Sequence, residues 1–194
     1  MCYYSLDELL ELIEGSNAAA CKRVLADNRA RFQTAHGSVH NHQAWTGGYF
    51  DHVQEAMNIG LVLWGTLHAL RKLPFSASDV LLIIFLHDIE KPWKYEARDD
   101  GQLHHTKAFQ SKSDDHTFRS RILADYGIAL TPEQTNALKY VEGEFADYSN
   151  RKRVMGPLAG LCHMADVASA RIWFDHPFER SDPWIGASRI RDGV

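Results

Sequence analysis

The chain has 194 residues, of which 45% are hydrophobic and 24% are charged, so we expect one globular domain over residues 1–194 with a single core. The formal net charge of -4 argues against a broad basic surface for nucleic acid. Three widely spaced cysteines without a C-x-x-C pair argue against a disulfide framework and a zinc ribbon. Acidic residues near the N-terminus and short apolar runs predict a cytoplasmic protein without a membrane segment.

Helical signals begin close to the N-terminus. Ser5 and Glu8 form a capping-box pattern ahead of the segment LDELLELIE, which predicts a first helix there. A second helix is predicted over about residues 17–32. In the segment GYFDHVQEAMNIGLVLWGTLHALRKL, apolar residues recur at steps of three and four, which predicts a long third helix.

The second half of the chain continues the helical pattern. Ser76 with Asp79, or Ser78 alone, is predicted to cap an apolar helix that runs directly into His87 and Asp88. The absence of sustained alternation predicts an all-α domain of about six to eight helices. The remaining predicted elements are a polar loop at 96–113, helices at 114–126, from Thr131 and at 156–174, and a C-terminal tail at 175–194.

Four side chains on three predicted helices stand beside apolar neighbours, namely His52, His87, Asp88 and Asp166. A buried charge is costly unless it is paired or binds a metal, and three helices can aim two imidazoles and two carboxylates at one point. Such ligands suit Mn, Fe, Co, Ni or Zn, with Mg also possible, and we expect one ion per chain. The alternative is that each residue is separately a core histidine or a capping aspartate.

The motifs GGYFDHV, FLHDIEKP and CHMADVASAR carry these residues in order. They resemble the motifs of the HD-domain superfamily of metal-dependent phosphohydrolases, whose pattern is a His, a His-Asp pair and a distant Asp on helices. The resemblance covers about residues 42–171. The longer string HQAWTGGYFDH is similar to the branch that contains a bacterial 3′-to-5′ exoribonuclease.

The resemblance implies an all-α HD domain whose metal ligands are His52, His87, Asp88 and Asp166. It also implies a metal-activated water that attacks a phosphate ester, with Asp88, Glu90 and Lys91 in catalytic roles. Glu90 stands where the family usually has Gly, so it is predicted either to add a carboxylate or to lie on the helix surface. Further candidates are His104, His105, His116 and His42 for a second metal or phosphate contact, and Trp45, Tyr49 and Arg171 for substrate binding.

We expect the substrate to be a small phosphate ester, preferably a nucleotide, because the chain is acidic and has no separate nucleic-acid-binding domain. The alternatives are an HD-type nuclease or phosphodiesterase on nucleic acid, a diiron oxygenase of the same fold, and a nucleotide-binding regulator without catalysis. The oxygenase would need additional histidine ligands. The sequence makes no prediction of oligomeric state.

Overall fold

The computed structural model describes residues 2–97, 99, 102–174 and 184, and this part of the chain is mostly helical. The predicted all-α class is therefore confirmed. The α-helices are α1 (Leu6–Glu11), α2 (Asn17–Thr34), α3 (Gly48–Leu70), α4 (Ala77–Leu86), α5 (Lys91–Lys94), α6 (Lys112–Tyr126), α7 (Pro132–Tyr140) and α8 (Pro157–Val167). A 3₁₀ turn covers Phe145–Asp147, and a π-helical turn, Ala168–Ile172, continues α8.

The helix boundaries follow the capping signals in the sequence. Ser5, Ser76 and Thr131 each accept a hydrogen bond from the backbone N–H three residues later, and a side chain at that later position returns to the cap, as predicted. Ser111 caps α6 in the same way. These reciprocal bonds satisfy donors that a helix start would otherwise leave unpaired.

The segment predicted as a polar loop contains a small hairpin. Strands β1 (Tyr95–Ala97) and β2 (Leu103–His105) pair antiparallel, with Tyr95 opposite His105. The prediction of loop at 96–113 was therefore wrong for these residues, because three-residue strands are too short to give a period-two pattern. The predicted tail at 175–194 lies outside the described residues except for Trp184.

The core surrounds α4. Every residue from Val80 to Leu86 is buried, because α3, α7 and α8 pack around this helix. An apolar helix enclosed on all sides brings the residues at its end into the interior. None of the helices in the described ranges is both long and apolar enough to cross a membrane.

Candidate metal centre

The His–Asp cluster, formed by His52, His87, Asp88 and Asp166, lies where α3, α4 and α8 meet. His52 Nε2 lies 3.2 Å from Asp166 Oδ1 and 3.6 Å from Asp88 Oδ2. His87 Nε2 lies 3.1 Å from Asp88 Oδ2 and 3.5 Å from Asp166 Oδ1. The two Nε2 atoms are 3.4 Å apart. The structure thus brings to one point the four side chains from α3, α8 and the end of α4.

These separations fit a shared divalent ion. Two nitrogen ligands that each lie about 2.0–2.1 Å from a tetrahedral ion are themselves about 3.4 Å apart. The ligand atoms of His52, His87 and Asp166 all lie within 4.8 Å of one another, and Asp88 contacts both imidazoles. Imidazole nitrogen and carboxylate oxygen together are a donor set that Mn, Fe, Co, Ni and Zn accept.

His52 is oriented by a hydrogen-bonded chain behind its ring. Ser169 Oγ donates to Glu55 Oε2 over 2.6 Å, so its lone pair accepts the Nδ1–H of His52 over 3.0 Å. Gln43 Nε2 donates to the Ser169 carbonyl over 3.2 Å. The π-helical turn after Asp166 places Ser169 there, and such turns are frequent at functional sites. The unprotonated Nε2 of His52 consequently faces the cluster.

His87 is oriented by its own helix. Its Nδ1 donates to the Ile84 carbonyl, one turn earlier, over 2.6 Å. Both imidazoles of the cluster are fully buried, and each has its Nδ1 hydrogen-bonded elsewhere. This arrangement directs both Nε2 atoms toward a shared metal. In metal-binding histidines the other ring nitrogen is usually hydrogen-bonded to a carboxylate, a backbone carbonyl or water.

The two imidazoles have pKa values shifted in opposite directions. Burial, together with the nearby Lys91 ammonium, lowers the pKa of His52 despite its contact with Asp166. Burial also acts to lower the pKa of His87, but the charges of Asp88 and Asp166 outweigh it and raise that pKa well above its usual value. The two aspartates therefore outweigh burial at His87 but not at His52.

The carboxylates of the cluster stay ionised although they are buried. Burial acts to raise the pKa of Asp88, but His87 and Lys91 outweigh it and hold that pKa well below its usual range. Lys91 Nζ lies 2.6 Å from Asp88 Oδ2. Burial likewise acts to raise the pKa of Asp166, and its contacts with His52 and His87 lower it instead. Both aspartates are thus available as anionic ligands.

Glu90 belongs to a separate buried pair. Arg119 Nη2 lies 3.2 Å from Glu90 Oε2, and both side chains are almost fully buried. Burial raises the pKa of Glu90; the Arg119 charge opposes this shift and the Asp88 charge adds to it. Arg119 also lies 3.5 Å from Glu142 Oε1. Glu90 was predicted either to add a carboxylate to the site or to lie on the helix surface. Its burial excludes the surface position.

A cavity of about 400 Å³ opens beside the cluster. Its basic lining residues are Lys91, Lys94, Lys112 and Arg171, and its acidic ones are Asp88, Glu90, Glu142 and Asp166. Lys91, Lys94 and Lys112 are each paired with a carboxylate. A larger cavity, about 530 Å³, shares Lys91 and Tyr95 with it, but the described lining of that cavity contains none of the four cluster residues. The other lining residues of the smaller cavity are Ser38, Asn41, His42, Tyr95, Phe145, His163, Val167 and Ala170.

Three predicted contact residues line this cavity, namely His42, Lys91 and Arg171. His42 Nε2 lies 3.4 Å from Lys91 Nζ, and the ring centroids of His42 and His52 are 4.9 Å apart. Burial and the Lys91 charge lower the pKa of His42 to about 3. A neutral His42 therefore lies at the edge of the cluster, on the side of Lys91.

The predicted aromatic substrate contacts lie in the interior instead. Trp45 Nε1 donates to Asp51 Oδ2 over 2.8 Å, and the Tyr49 ring packs edge-on against Phe32 at 5.1 Å. Neither belongs to the described lining of the cavity. Their positions support a packing role. They give no support to substrate contact.

Of the four histidines predicted for a second metal or phosphate contact, His104, His105 and His116 lie apart from the described cavity lining. His104 and His105 are on β2, where His105 Nδ1 donates to the Phe109 carbonyl over 3.0 Å. His116 is exposed on α6 and lines another cavity, next to Arg119. Among described residues, the group that could hold a metal is His52, His87 and Asp166, so the second-metal prediction gains no support.

Sequence reasoning missed the residues that orient or surround the cluster. Ser169 and Glu55 each follow a cluster residue by three positions on a helix, Asp166 and His52 respectively. That spacing places two residues on one helix face, so a search at one helical turn from each ligand would have found both. Arg119 carries no comparable signal, because its partner Glu90 is distant in sequence.

Known proteins offer no relative on which to base a function. A scan against protein-family models, a search of curated proteins and a search of solved structures each found no match. The function is therefore argued from the geometry of the cluster and its cavity.

Proposed function

We propose that this chain is a metal-dependent phosphohydrolase of the HD-domain type that acts on a small phosphate ester, preferably a nucleotide. One observation carries the proposal. The Nε2 atoms of two imidazoles lie 3.1–3.6 Å from carboxylate oxygens of two aspartates, beside a cavity that Lys91 and Arg171 also line. A metal would explain why these charged groups are collected in the interior.

The donor set of His52, His87 and Asp166 fits one divalent ion, and Asp88 is proposed as a fourth ligand from its contacts with both imidazoles. Such an ion, when bound, polarises a phosphoryl oxygen and lowers the pKa of a water molecule toward neutrality. Of the two aspartates, Asp166 is the more exposed, with 16% of its side chain accessible against 7% for Asp88. Asp166 is accordingly assigned as the carboxylate that accepts a hydrogen bond from the attacking water and orients it.

The remaining residues bind and orient the substrate. Lys91 is held beside the cluster by Asp88, so its ammonium is placed to neutralise charge that develops on the phosphoryl group. Arg171, exposed at the cavity wall, would bind the phosphate on entry. Glu90 is paired with Arg119, so its role is to fix the position of the turn that carries Asp88 and Lys91.

The cavity size supports a small substrate. A volume of about 400 Å³ is within the range of small-molecule sites, roughly 300–1,000 Å³. A nucleic-acid strand would need an extended basic surface. Three of the four basic residues here are instead paired, Lys91 with Asp88, Lys94 with Asp115 and Lys112 with Glu142. These pairs favour a compact anion over a polymer.

The test measures metal content by mass spectrometry, together with phosphate release from a panel of nucleotides and sugar phosphates. The wild-type chain is compared with Asp166→Asn, which preserves the side-chain shape, and with His116→Gln, which changes an exposed histidine outside the described cavity lining. We expect one ion per chain and phosphate release in the wild type and in His116→Gln. Asp166→Asn is expected to lose most of the bound metal and most of the phosphate release.

Other results would replace the proposal. The absence of any ion from the wild type, after incubation with each of the candidate metals, would refute the assigned centre. Two irons per chain without phosphate release would favour the oxygenase. Metal that is bound and lost with Asp166, without turnover of any compound, would favour a regulator.

A further inference from the structure

Phe145 has an unusual position at the wall of the cavity. Its side chain is 69% exposed, although a large apolar ring normally favours the interior. Its backbone has φ +45°, in the left-handed region that bulky residues rarely adopt. An exposed aromatic ring on an unfavourable backbone is a combination that packing alone does not explain, and such outliers are concentrated at functional sites.

Hydrogen bonds hold the segment around Phe145 in place. Glu144 Oε1 accepts the backbone N–H groups of Val154 and Met155 over 3.3 and 3.0 Å. Asp147 Oδ2 accepts hydrogen bonds from Lys139 and Tyr140, over 2.7 and 2.9 Å. Hydrogen bonds on both sides of Phe145 therefore fix the turn that carries its ring at the cavity wall.

Phe145 faces ring-bearing and basic neighbours. A Cβ added at Gly143 would lie 3.8 Å from His163 Cε1 and 4.0 Å from Phe145 Cζ, so the two rings flank this glycine. Gly143 has φ +118°, a conformation that favours glycine. Lys112 Nζ lies 5.9 Å from the centre of the Phe145 ring. The cavity wall thus combines aromatic surface with positive charge.

We infer that Phe145 is a stacking platform for a planar ring carried by the substrate, and that the site selects phosphate esters of flat aromatic groups over sugar phosphates. This inference rests on the proposed function. Aromatic side chains stack on nucleobases with little dependence on base identity, and the basic side chains of the same cavity suit the attached phosphate. Phe145 therefore determines the class of substrate, while the His–Asp cluster supplies the chemistry.

The chain offers a matched control in Tyr148. Its side chain is also 69% exposed and lies three residues away, yet Tyr148 is not part of the described cavity lining. If exposed aromatic rings had no role in binding, substitution of Phe145 and of Tyr148 would have the same effect on substrate affinity. Phe145→Leu removes the ring and keeps apolar bulk, whereas Phe145→Tyr keeps the ring.

The experiment uses the metal-loaded full chain with two probes, adenosine monophosphate and ribose 5-phosphate, which differ in the planar base. Dissociation constants come from equilibrium dialysis, and kcat and KM from phosphate release. For Phe145→Leu we expect affinity for adenosine monophosphate to fall about tenfold, within the range of stacking losses, while ribose 5-phosphate is unaffected. Phe145→Tyr and Tyr148→Ala are expected to match the wild type with both probes.

The two assays separate this inference from the proposed function. Binding of adenosine monophosphate that depends on Phe145, without phosphate release, would support the platform and refute the hydrolase. Hydrolysis of both probes with no effect of Phe145→Leu would support the hydrolase and overturn the platform. Equal weakening of both probes, equal effects at Tyr148, or no binding of either probe would also overturn it.

Discussion

Two neighbouring buried polar clusters differ in how their charges are balanced. In the pair of Glu90 and Arg119, a permanent cation lies 3.2 Å from the carboxylate, and both side chains are almost fully buried. In the His–Asp cluster, two carboxylates lie beside two imidazoles. The imidazoles carry charge only when protonated, and Lys91 contacts the carboxylate of Asp88. The first pair has a fixed countercharge within the chain, whereas the second cluster is the proposed site of an added cation.

This difference separates stability from function. A buried ion pair of fixed charges contributes to folding whether or not a metal is present, because breaking it leaves an unpaired charge in the interior. A cluster of imidazoles and carboxylates contributes most when a metal is bound, since ligand binding stabilises the folded state by mass action. Substitutions in the two clusters should therefore respond differently to a chelator.

The largest effect is expected from Arg119→Ala. Removing the guanidinium leaves Glu90 buried without its partner, so the free energy of unfolding should fall by about 3–5 kcal/mol. Urea unfolding with and without a chelator measures this loss, most of which should remain after the chelator has removed the metal. Arg29→Ala, which breaks the exposed pair with Asp7, is the control and should cost less than about 1 kcal/mol. An equally small loss for Arg119→Ala would contradict the assigned pairing.

An intermediate effect is expected from Ser169→Ala. The substitution removes the hydroxyl that links His52 Nδ1 to Glu55, so the ring loses the partner that fixes its orientation. The metal dissociation constant should rise roughly 10–100-fold, as measured by competition with a chromophoric chelator. Ser120→Ala, on the exposed face of α6, should leave it unchanged. Unaltered metal affinity in Ser169→Ala would show that the hydroxyl does not support the ligand.

The smallest effect is expected from Asp79→Asn, in the capping box of α4. Partial burial acts to raise the pKa of Asp79, but hydrogen bonds from Ser76 and Gln134 lower it below 3.8. As the pH falls, the Asp79 carboxylate is therefore protonated in the unfolded chain before it is protonated in the folded chain. The contribution of the ionised carboxylate to folding stability is complete above about pH 4 and is lost as the pH falls further. Asp79→Asn should cost about 1 kcal/mol near neutral pH.

The measurement for Asp79 is urea unfolding from pH 7 to pH 3. The difference between wild type and Asp79→Asn should shrink below about pH 4, and a chelator should not change it, because the cap acts on helix α4 and not on the metal. A difference that stays constant down to pH 3 would contradict a role for the ionised carboxylate.

Local signals predicted most of the helices, although the four-residue α5 was not predicted. The capping patterns at Ser5, Ser76 and Thr131 predicted helix starts that the structure confirms, and Gly127 ends α6 in the left-handed conformation. Such signals act within one helical turn, so they are legible in the sequence. The hairpin of β1 and β2 was missed because its pairing joins residues across a loop and leaves no local period.

The sequence by itself determined the residue types of the His–Asp cluster and the apolar helix that carries His87 and Asp88 inward, because burial and periodicity are written in the order of residues. Only the tertiary structure decided that Glu90 pairs with Arg119, that Ser169 holds His52, and that Trp45 and Tyr49 are interior. These are contacts between distant segments, and their existence depends on how the helices pack. Local pattern carries no information on that packing.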